Sequence, residues 1–229
     1  QFLILYSLLI HCKFSKTTFP TFSREIDDDS TVLHCCFFQL SSLGMDPVIL
    51  AGGYATFAQR YPFLCTPKMI LLVNECKAIT IYPSEILENA LYQGTAEQAT
   101  NYKVIKNLHI THILNVAAEI PSAFPAIIRY LNFKVMDDMN EHIEDILPTA
   151  TEFIAEALQA DCRVLVHCNT GKSRSSAITL AYLMEYRHWI LKDAYEWLKK
   201  QRTCATPNMG FLKQLSVYEE KLFGKKLTD

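Results

Sequence analysis

Val164-Leu165-Val166-His167-Cys168-Asn169-Thr170-Gly171-Lys172-Ser173-Arg174-Ser175-Ser176 reads as strand, loop and helix in turn. Residues 163–167 make a short apolar, β-branched run fit for a buried strand. Past Arg174, the residues Ala177, Ile178, Leu180, Ala181 and Met184 recur at helical spacing. The loop between is aimed by a rigid element on each side, and Cys168 stands at its entrance.

A thiol followed six positions later by an arginine is the minimum apparatus for attacking a phosphoryl group. The backbone N–H groups of residues 169–174 can curl around one point at the positive end of the following helix, which makes an anion nest. That field, with Lys172 and Arg174 beside it, favours an ionised sulfur. Arg174 offers the planar fork that pairs two oxygens of a phosphate. Gly171 suits a curl too tight for a Cβ. Ser175 stands where its hydroxyl can hydrogen-bond the Cys168 sulfur and stabilise it as a leaving group. Cys168, Arg174 and Ser175 are therefore candidate catalytic residues, and Asn169, Thr170, Gly171, Lys172 and Ser173 the candidate substrate-binding set.

Two other readings compete. A cysteine at a strand end is commonly a small buried hydrophobe, and Cys-x5-Arg alone arises by chance, though the whole strand-loop-helix context seldom does. Gly171-Lys172-Ser173 also imitates the end of a nucleotide P-loop. That motif needs a glycine five residues before its second one, and position 166 is Val166.

His-Cys-x-x-Gly-x-Ser-Arg-Ser, as it stands from His167 to Ser175, resembles the signature of the dual-specificity protein phosphatases, within the cysteine-dependent tyrosine phosphatase superfamily. Ile110-Thr111-His112-Ile113-Leu114-Asn115-Val116-Ala117, Ala181-Tyr182-Leu183-Met184 and Pro207-Asn208-Met209-Gly210-Phe211-Leu212-Lys213-Gln214-Leu215 resemble the same family at the corresponding places. About residues 84–224 are covered. Thr170 departs from the family's usual alanine and Lys172 from its usual uncharged residue. Neither change removes a reacting group, so both bear on substrate fit and pocket charge.

Composition narrows the partners. The chain of 229 residues holds one large domain or two modest ones, and its 50% hydrophobic content with a net charge of -2 leaves ample core and no surplus for a polyanion. Nucleic acid is not expected. The cysteines at 12, 35, 36, 65, 76, 162, 168 and 204 show no Cys-x-x-Cys pair and no zinc-ligand spacing, so no metal or other cofactor is expected. A working Cys168 thiolate needs a reducing compartment, which points to the cytoplasm and leaves nucleus and mitochondrion open.

The chain opens on Gln1. Residues 2–10 are apolar but too few to span a bilayer, and no positive region precedes them, so neither a membrane anchor nor a signal peptide is expected. A buried strand and a segment left by truncation are the two readings of that run. Residues 31–43 carry Val32, Leu33, Cys36, Phe37, Leu40 and Leu43 at helical spacing, and Gly44 closes the helix. Cys35 and Cys36 fall inside it, where structural cysteines belong, and Asp27, Asp28 and Asp29 suit a solvated turn. A strand at 48–50 and Gly52-Gly53 lead into a short helix ending before Pro62. This run resembles the last third of a rhodanese-like module, which MAP kinase phosphatases carry ahead of the phosphatase domain.

The expected organisation is a partial or degenerate rhodanese-like segment at 1–64, a linker at 65–83 holding one strand at 69–73, and a phosphatase-like domain at 84–229. Within that domain the pattern gives a strand entry at Leu91 and Tyr92, a helix capped by Thr95 and running to about Asn107, and strands at 110–116 and 130–135. Helices follow at 148–160, 192–202 and 208–223. The fold class is α/β, with a central, mostly parallel sheet flanked by helices and a ligand site at the carboxyl ends of its strands.

The resemblance implies a proton donor just after the strand at 130–135. Register puts Asp137 there and Asp138 one place late, so Asp137 is preferred and Asp138 is the alternative. His167 is expected to orient the loop by hydrogen bonding. The function implied is hydrolysis of phosphotyrosine and of phosphoserine or phosphothreonine in a protein, through a phosphocysteine. MAP kinases are the substrate class suggested by analogy, although residues 1–64 lack the expected basic docking segment. The alternative is a weakly active or inactive scaffold that binds phosphoproteins, like the serine/threonine/tyrosine-interacting-like proteins. In that group the His-Cys pair is replaced; here it is intact.

Overall fold

The computed structural model of the chain describes residues 41–42, 53–65, 79–117 and 119–228. Two compact units divide it, Gln1–Leu71 and Leu72–Asp229. In the first, helix α1 (Gly53–Arg60) forms where a short helix ahead of Pro62 is expected, and a 3-10 turn (Pro62–Leu64) follows it. Of the helix expected at 31–43, Ser41 and Ser42 are described and are helical. The apolar run at 2–10, Asp27 to Asp29, Cys35, Cys36, and the strands expected at 48–50 and 69–73 lie outside the described residues.

The second unit runs β1 (Ser84–Leu87), β2 (Leu91–Gly94), α2 (Ala96–Ala99), α3 (Tyr102–Asn107), β3 (His112–Asn115), β4 (Arg129–Asn132), α4 (Leu147–Gln159), β5 (Val164–His167), α5 (Arg174–Arg187), α6 (Leu191–Gln201) and α7 (Met209–Phe223). The five strands lie in the order β1-β2-β5-β3-β4. Among the described residues only the β1–β2 pair is antiparallel. Central β5 is buried on both faces, which is why it reads as a continuous apolar run and shows no alternation. Val164 and Val166 join the main apolar cluster with α4 to α7, whereas Leu165 points the other way and does not. Ala99, Val104 and Ile105 of α2 and α3 are buried outside that cluster as well, so the sheet is covered on both sides.

Helix α5 is buried from Arg174 through Met184, polar Ser175, Ser176 and Thr179 included. It packs on α4, α6, α7 and β5, so through Met184 it is a core helix with no wet face, and only its last turn meets solvent. Phe211 and Leu215 of α7 have no exposed surface, and Phe211→Ala would cost about 3–5 kcal/mol by cavity formation. Among the described residues no helix is long and apolar enough to cross a membrane.

The strand expected at 130–135 is β4 and stops at Asn132, and two larger local outcomes differ from the sequence pattern. The single helix expected from Thr95 to Asn107 is broken in two. Thr95 forms a capping box with Gln98, and Asn101 then accepts from the Lys103 N–H and restarts the chain as α3. The second is β1, a strand absent from the expectation. Its four residues are too few to show alternation, and its hairpin turns through Asn89 at φ 52°, the left-handed conformation asparagine tolerates.

Candidate active site

Parallel register brings the carboxyl ends of three strands together, with Gly94 of β2 and Asn115 of β3 both opposite His167 of β5. Each strand then hands its chain to the same place. Beyond β5 the loop closes on Cys168, whose buried sulfur accepts from the Gly171 N–H at 3.2 Å and lies 3.4 Å from the Ser175 hydroxyl.

Every carbonyl of the loop points away from that sulfur and has a donor outside the ring. The His167 imidazole Nδ1 meets the Cys168 carbonyl at 3.1 Å, and the Ala96 N–H donates to the Asn169 carbonyl at 2.9 Å. Arg202 donates through Nη2 to the Thr170 carbonyl at 3.4 Å and through Nε to the Gly171 carbonyl at 2.7 Å, which also receives Gln93 Nε2 at 3.2 Å. The Lys172 carbonyl takes the Thr206 N–H at 2.8 Å and the Ser176 hydroxyl. In a trans peptide the carbonyl of one residue and the N–H of the next point in opposite directions. Outward carbonyls from Cys168 to Lys172 therefore turn the N–H groups of Asn169 to Ser173 inward, around the sulfur. Gly171 makes the closure possible. Its φ is +67°, and a Cβ there would fall on the Gly94 carbonyl oxygen and 2.6 Å from Arg202 Nη2.

Arg174 opens α5 and is 7% exposed. Its Nη1 and Nη2 pair with the two oxygens of Glu119 at 3.0 Å each, and Nη1 also donates to the Val135 carbonyl at 3.1 Å. Burial opposes its charge, but Glu119, Cys168 and Asp137 outweigh that and hold the guanidinium above its ordinary pKa. One edge of the expected fork is thus taken by protein. The other edge ends in Nε, a buried donor with no hydrogen-bond partner. Buried orphans of this kind are rare, and one on the edge of an anion nest is a seat for an oxyanion.

Glu119 was not singled out by the sequence. It lies 55 residues before Arg174, and no local spacing links the two. Its nearest cue is Asn115, whose amide shapes the turn by donating to the Ile120 carbonyl and accepting from the Ala117 N–H.

The loop after β4 brings Asp137 to the nest and leaves Asp138 outside it. Asp137 Oδ1 accepts from the Ser173 hydroxyl at 2.6 Å and from Asn208 Nδ2 at 3.1 Å, while Oδ2 is 3.9 Å from Arg174 Nε. Asp138 turns back on its own loop, its Oδ1 accepting from the Asn140 N–H at 2.7 Å. The loop is fastened to the start of α7. Asn208 caps that helix by accepting from the Phe211 N–H, and at Gly210 a Cβ would meet the Met139 carbonyl. Asn169, Thr170 and Lys172 are exposed, and Ser173 and Ser175 are buried. A sulfur ringed by amides, with a guanidinium edge and a carboxyl beside it, can receive a tetrahedral anion and exchange a proton with it.

The family model described as the dual specificity phosphatase catalytic domain matches residues 91–221. A "probable rhodanese domain-containing dual specificity protein phosphatase" of Dictyostelium discoideum is 35% identical over 203 residues, 87% of this chain and 42% of that protein. The chain thus spans less than half of that relative's length. Among solved structures, the human tyrosine phosphatase-like serine/threonine/tyrosine-interacting protein is similar at a TM-score of 0.58 and 35% identity, covering 61% of this chain and 97% of that one. A mouse putative dual specificity phosphatase complexed with zinc tungstate reaches 0.59 at 30% identity, covering 62% and 89%. With more than half of its residues inside the catalytic-domain match, the chain belongs to the dual specificity phosphatase family.

Proposed function

We propose that the chain is a cysteine-dependent protein phosphatase that hydrolyses phosphotyrosine and phosphoserine or phosphothreonine. The observation that carries this reading is the buried Nε of Arg174, without a hydrogen-bond partner, at the start of the helix that follows a loop whose Gly171 N–H donates to the Cys168 sulfur. The Cys168 thiolate attacks phosphorus in line, so that an S–P bond forms as the bond to the leaving oxygen breaks. Asp137, through the oxygen not held by Ser173 and Asn208, gives that oxygen its proton. The loop amides and the Nε edge of Arg174 hold the equatorial oxygens of the transferred group. Water then attacks phosphorus, its proton passes to Asp137, and the Cys168 thiolate leaves with the Ser175 hydroxyl donating to it.

The substrate class is a phosphorylated protein, and MAP kinases are the first partners to try, on the resemblance to their phosphatases. The working compartment is a reducing one, such as the cytoplasm. The catalytic part is 84–229, and 1–64 is a partial rhodanese-like segment joined by the linker 65–83. The name of the Dictyostelium relative, and a match to it longer than the catalytic domain, support that division.

Cys168→Ser tests the reading. It should abolish hydrolysis of p-nitrophenyl phosphate and leave phosphopeptide binding in place, because a hydroxyl without a base is a poor nucleophile but fits the same nest. Hydrolysis by the serine variant at the wild-type rate would rule out the cysteine mechanism. A wild type that binds phosphopeptide through Arg174 and shows no vanadate-sensitive turnover would make the chain a scaffold.

A further inference from the structure

Arg202, the residue that ends α6, has no part in the chemistry above, yet it lies directly behind the anion nest. It is 9% exposed, and all three of its guanidinium nitrogens are engaged: Nε with the Gly171 carbonyl, Nη2 with the Thr170 carbonyl, and Nη1 with the Ser84 hydroxyl at 3.2 Å. Among the described residues no carboxylate pairs with it. A buried cation satisfied by neutral oxygens alone is an expensive way to fill space, and an apolar side chain of the same length would do that more cheaply. The group must therefore be read through what it holds. It holds the two carbonyls at the apex of the loop, at the residue whose positive φ makes the turn.

Gln93 of β2 repeats the logic from the other side. Its amide nitrogen donates both to the Gly171 carbonyl and to the Ser176 hydroxyl at 2.8 Å, and its own oxygen is buried with no hydrogen-bond partner. Its hydrogen-bonding capacity is spent on the loop and not on itself.

We propose that Arg202, with Gln93 beside it, is a positioning residue for the phosphate cradle: by pinning the Thr170 and Gly171 carbonyls outward it keeps the loop amides aimed at the oxyanion. The same guanidinium sets a fixed positive charge behind the nest, where it attracts a doubly charged phosphate without touching it. What the cradle binds rests on the phosphatase reading, but the pinning of the loop does not. Released from Arg202, the Thr170 carbonyl loses its side-chain donor and the Gly171 carbonyl keeps only Gln93, so the peptide planes are freer to rotate. A carbonyl turned inward then faces the phosphate with its negative end and removes one donor. The loss of a single oxyanion donor is worth on the order of a hundredfold in rate.

The test compares wild type with Arg202→Met, which keeps the length and removes the donors, and with Arg202→Lys, which keeps the charge and one directional contact. Three quantities are read: tungstate affinity by calorimetry, kcat and KM on p-nitrophenyl phosphate, and backbone hydrogen exchange across residues 164–174. Arg202→Met should weaken tungstate by about tenfold or more and lower kcat as well as raise KM. Its amides in the loop should exchange faster while those of β5 keep wild-type protection, and Arg202→Lys should recover part of both effects. Ser84→Ala, which removes only the third contact, should stay near wild type in all three. Tungstate affinity within about twofold of wild type in folded Arg202→Met, or a uniform rise in exchange that takes β5 with it, overturns the proposal. Should Arg202→Met fail to fold, Arg202→Lys and Gln93→Met decide it by the same contrast between loop and strand. A wild type that binds no tungstate defeats the phosphatase reading, and the exchange contrast still settles the positioning role.

Discussion

His167 makes the stability of this domain sensitive to mild acid. The ring is 2% exposed, and its Nδ1 faces a carbonyl oxygen, which only accepts, so Nδ1 carries a proton; burial, which lowers the pKa, keeps the ring neutral near pH 7. Burial lowers its pKa from 6.5 to about 4, and the hydrogen bond to the Cys168 carbonyl offsets only part of that. Between those two values the unfolded chain binds a proton that the folded chain refuses, so stability rises with pH across the window. The contribution is full above about pH 6.5 and is lost as pH falls toward about 4, at roughly 1 kcal/mol per unit and about 3 kcal/mol in all. Carboxylates titrate in the same range, so the measurement is a difference. Urea unfolding of wild type and His167→Gln from about pH 7.5 to about pH 4.5 should give a stability gap that is constant at the neutral end and shifts by about 2–3 kcal/mol in favour of the glutamine variant at the acid end. A pH-independent gap would mean that His167 takes up its proton in the folded state as readily as in the unfolded one. A gap moving the other way would mean that the fold prefers imidazolium. Either result refutes the neutral ring described above.

Asp137→Asn should depress hydrolysis of a phosphothreonine peptide by on the order of a hundredfold and that of an activated aryl phosphate much less, because an alkoxide cannot leave without a proton and a nitrophenolate nearly can. Asp138→Asn should do little to either substrate, and the reverse pattern would show that the acid is the neighbour. Glu119→Gln keeps the shape of the Arg174 partner and removes its charge. Since Glu119 is 43% exposed, stability should fall by only about 1 kcal/mol, while kcat/KM should drop by on the order of tenfold as the guanidinium loses its orientation. Unchanged kinetics would mean that the Val135 carbonyl alone orients Arg174.

What was legible in the sequence is what is local. The run at 163–167, the apolar spacing after Arg174, the Thr95 cap and the helices near 148, 192 and 208 carry their signals within one or two turns, and each forms within a residue or two of its expected place. The bends at Asn89 and Asn101 were less legible. There a single asparagine, in a left-handed turn or as a helix cap, overrides an otherwise plausible continuation. The nucleophile loop announced its residue types but not its supports. Glu119, Gln93 and Arg202 reach it from separate elements far along the chain, and none has a neighbour whose spacing hints at the contact. Asp137 over Asp138 was a matter of register alone; Ser173 and Asn208 bear on it through contacts 36 and 71 residues away.

The outward pull on the loop carbonyls also sets when in the life of the chain the nest can exist. Its anchors run from Gln93, 78 residues before Gly171, to Arg202, 31 residues after it, with the Thr206 amide beyond. These are contacts of long sequence separation, the kind that close late in folding. A nascent chain that has just exposed its His-Cys signature therefore carries the motif without the receptor: until the segment through Thr206 has left the ribosome and docked, the carbonyls are free to turn inward. Until then the loop has its residue types but not the donors that hold its carbonyls outward.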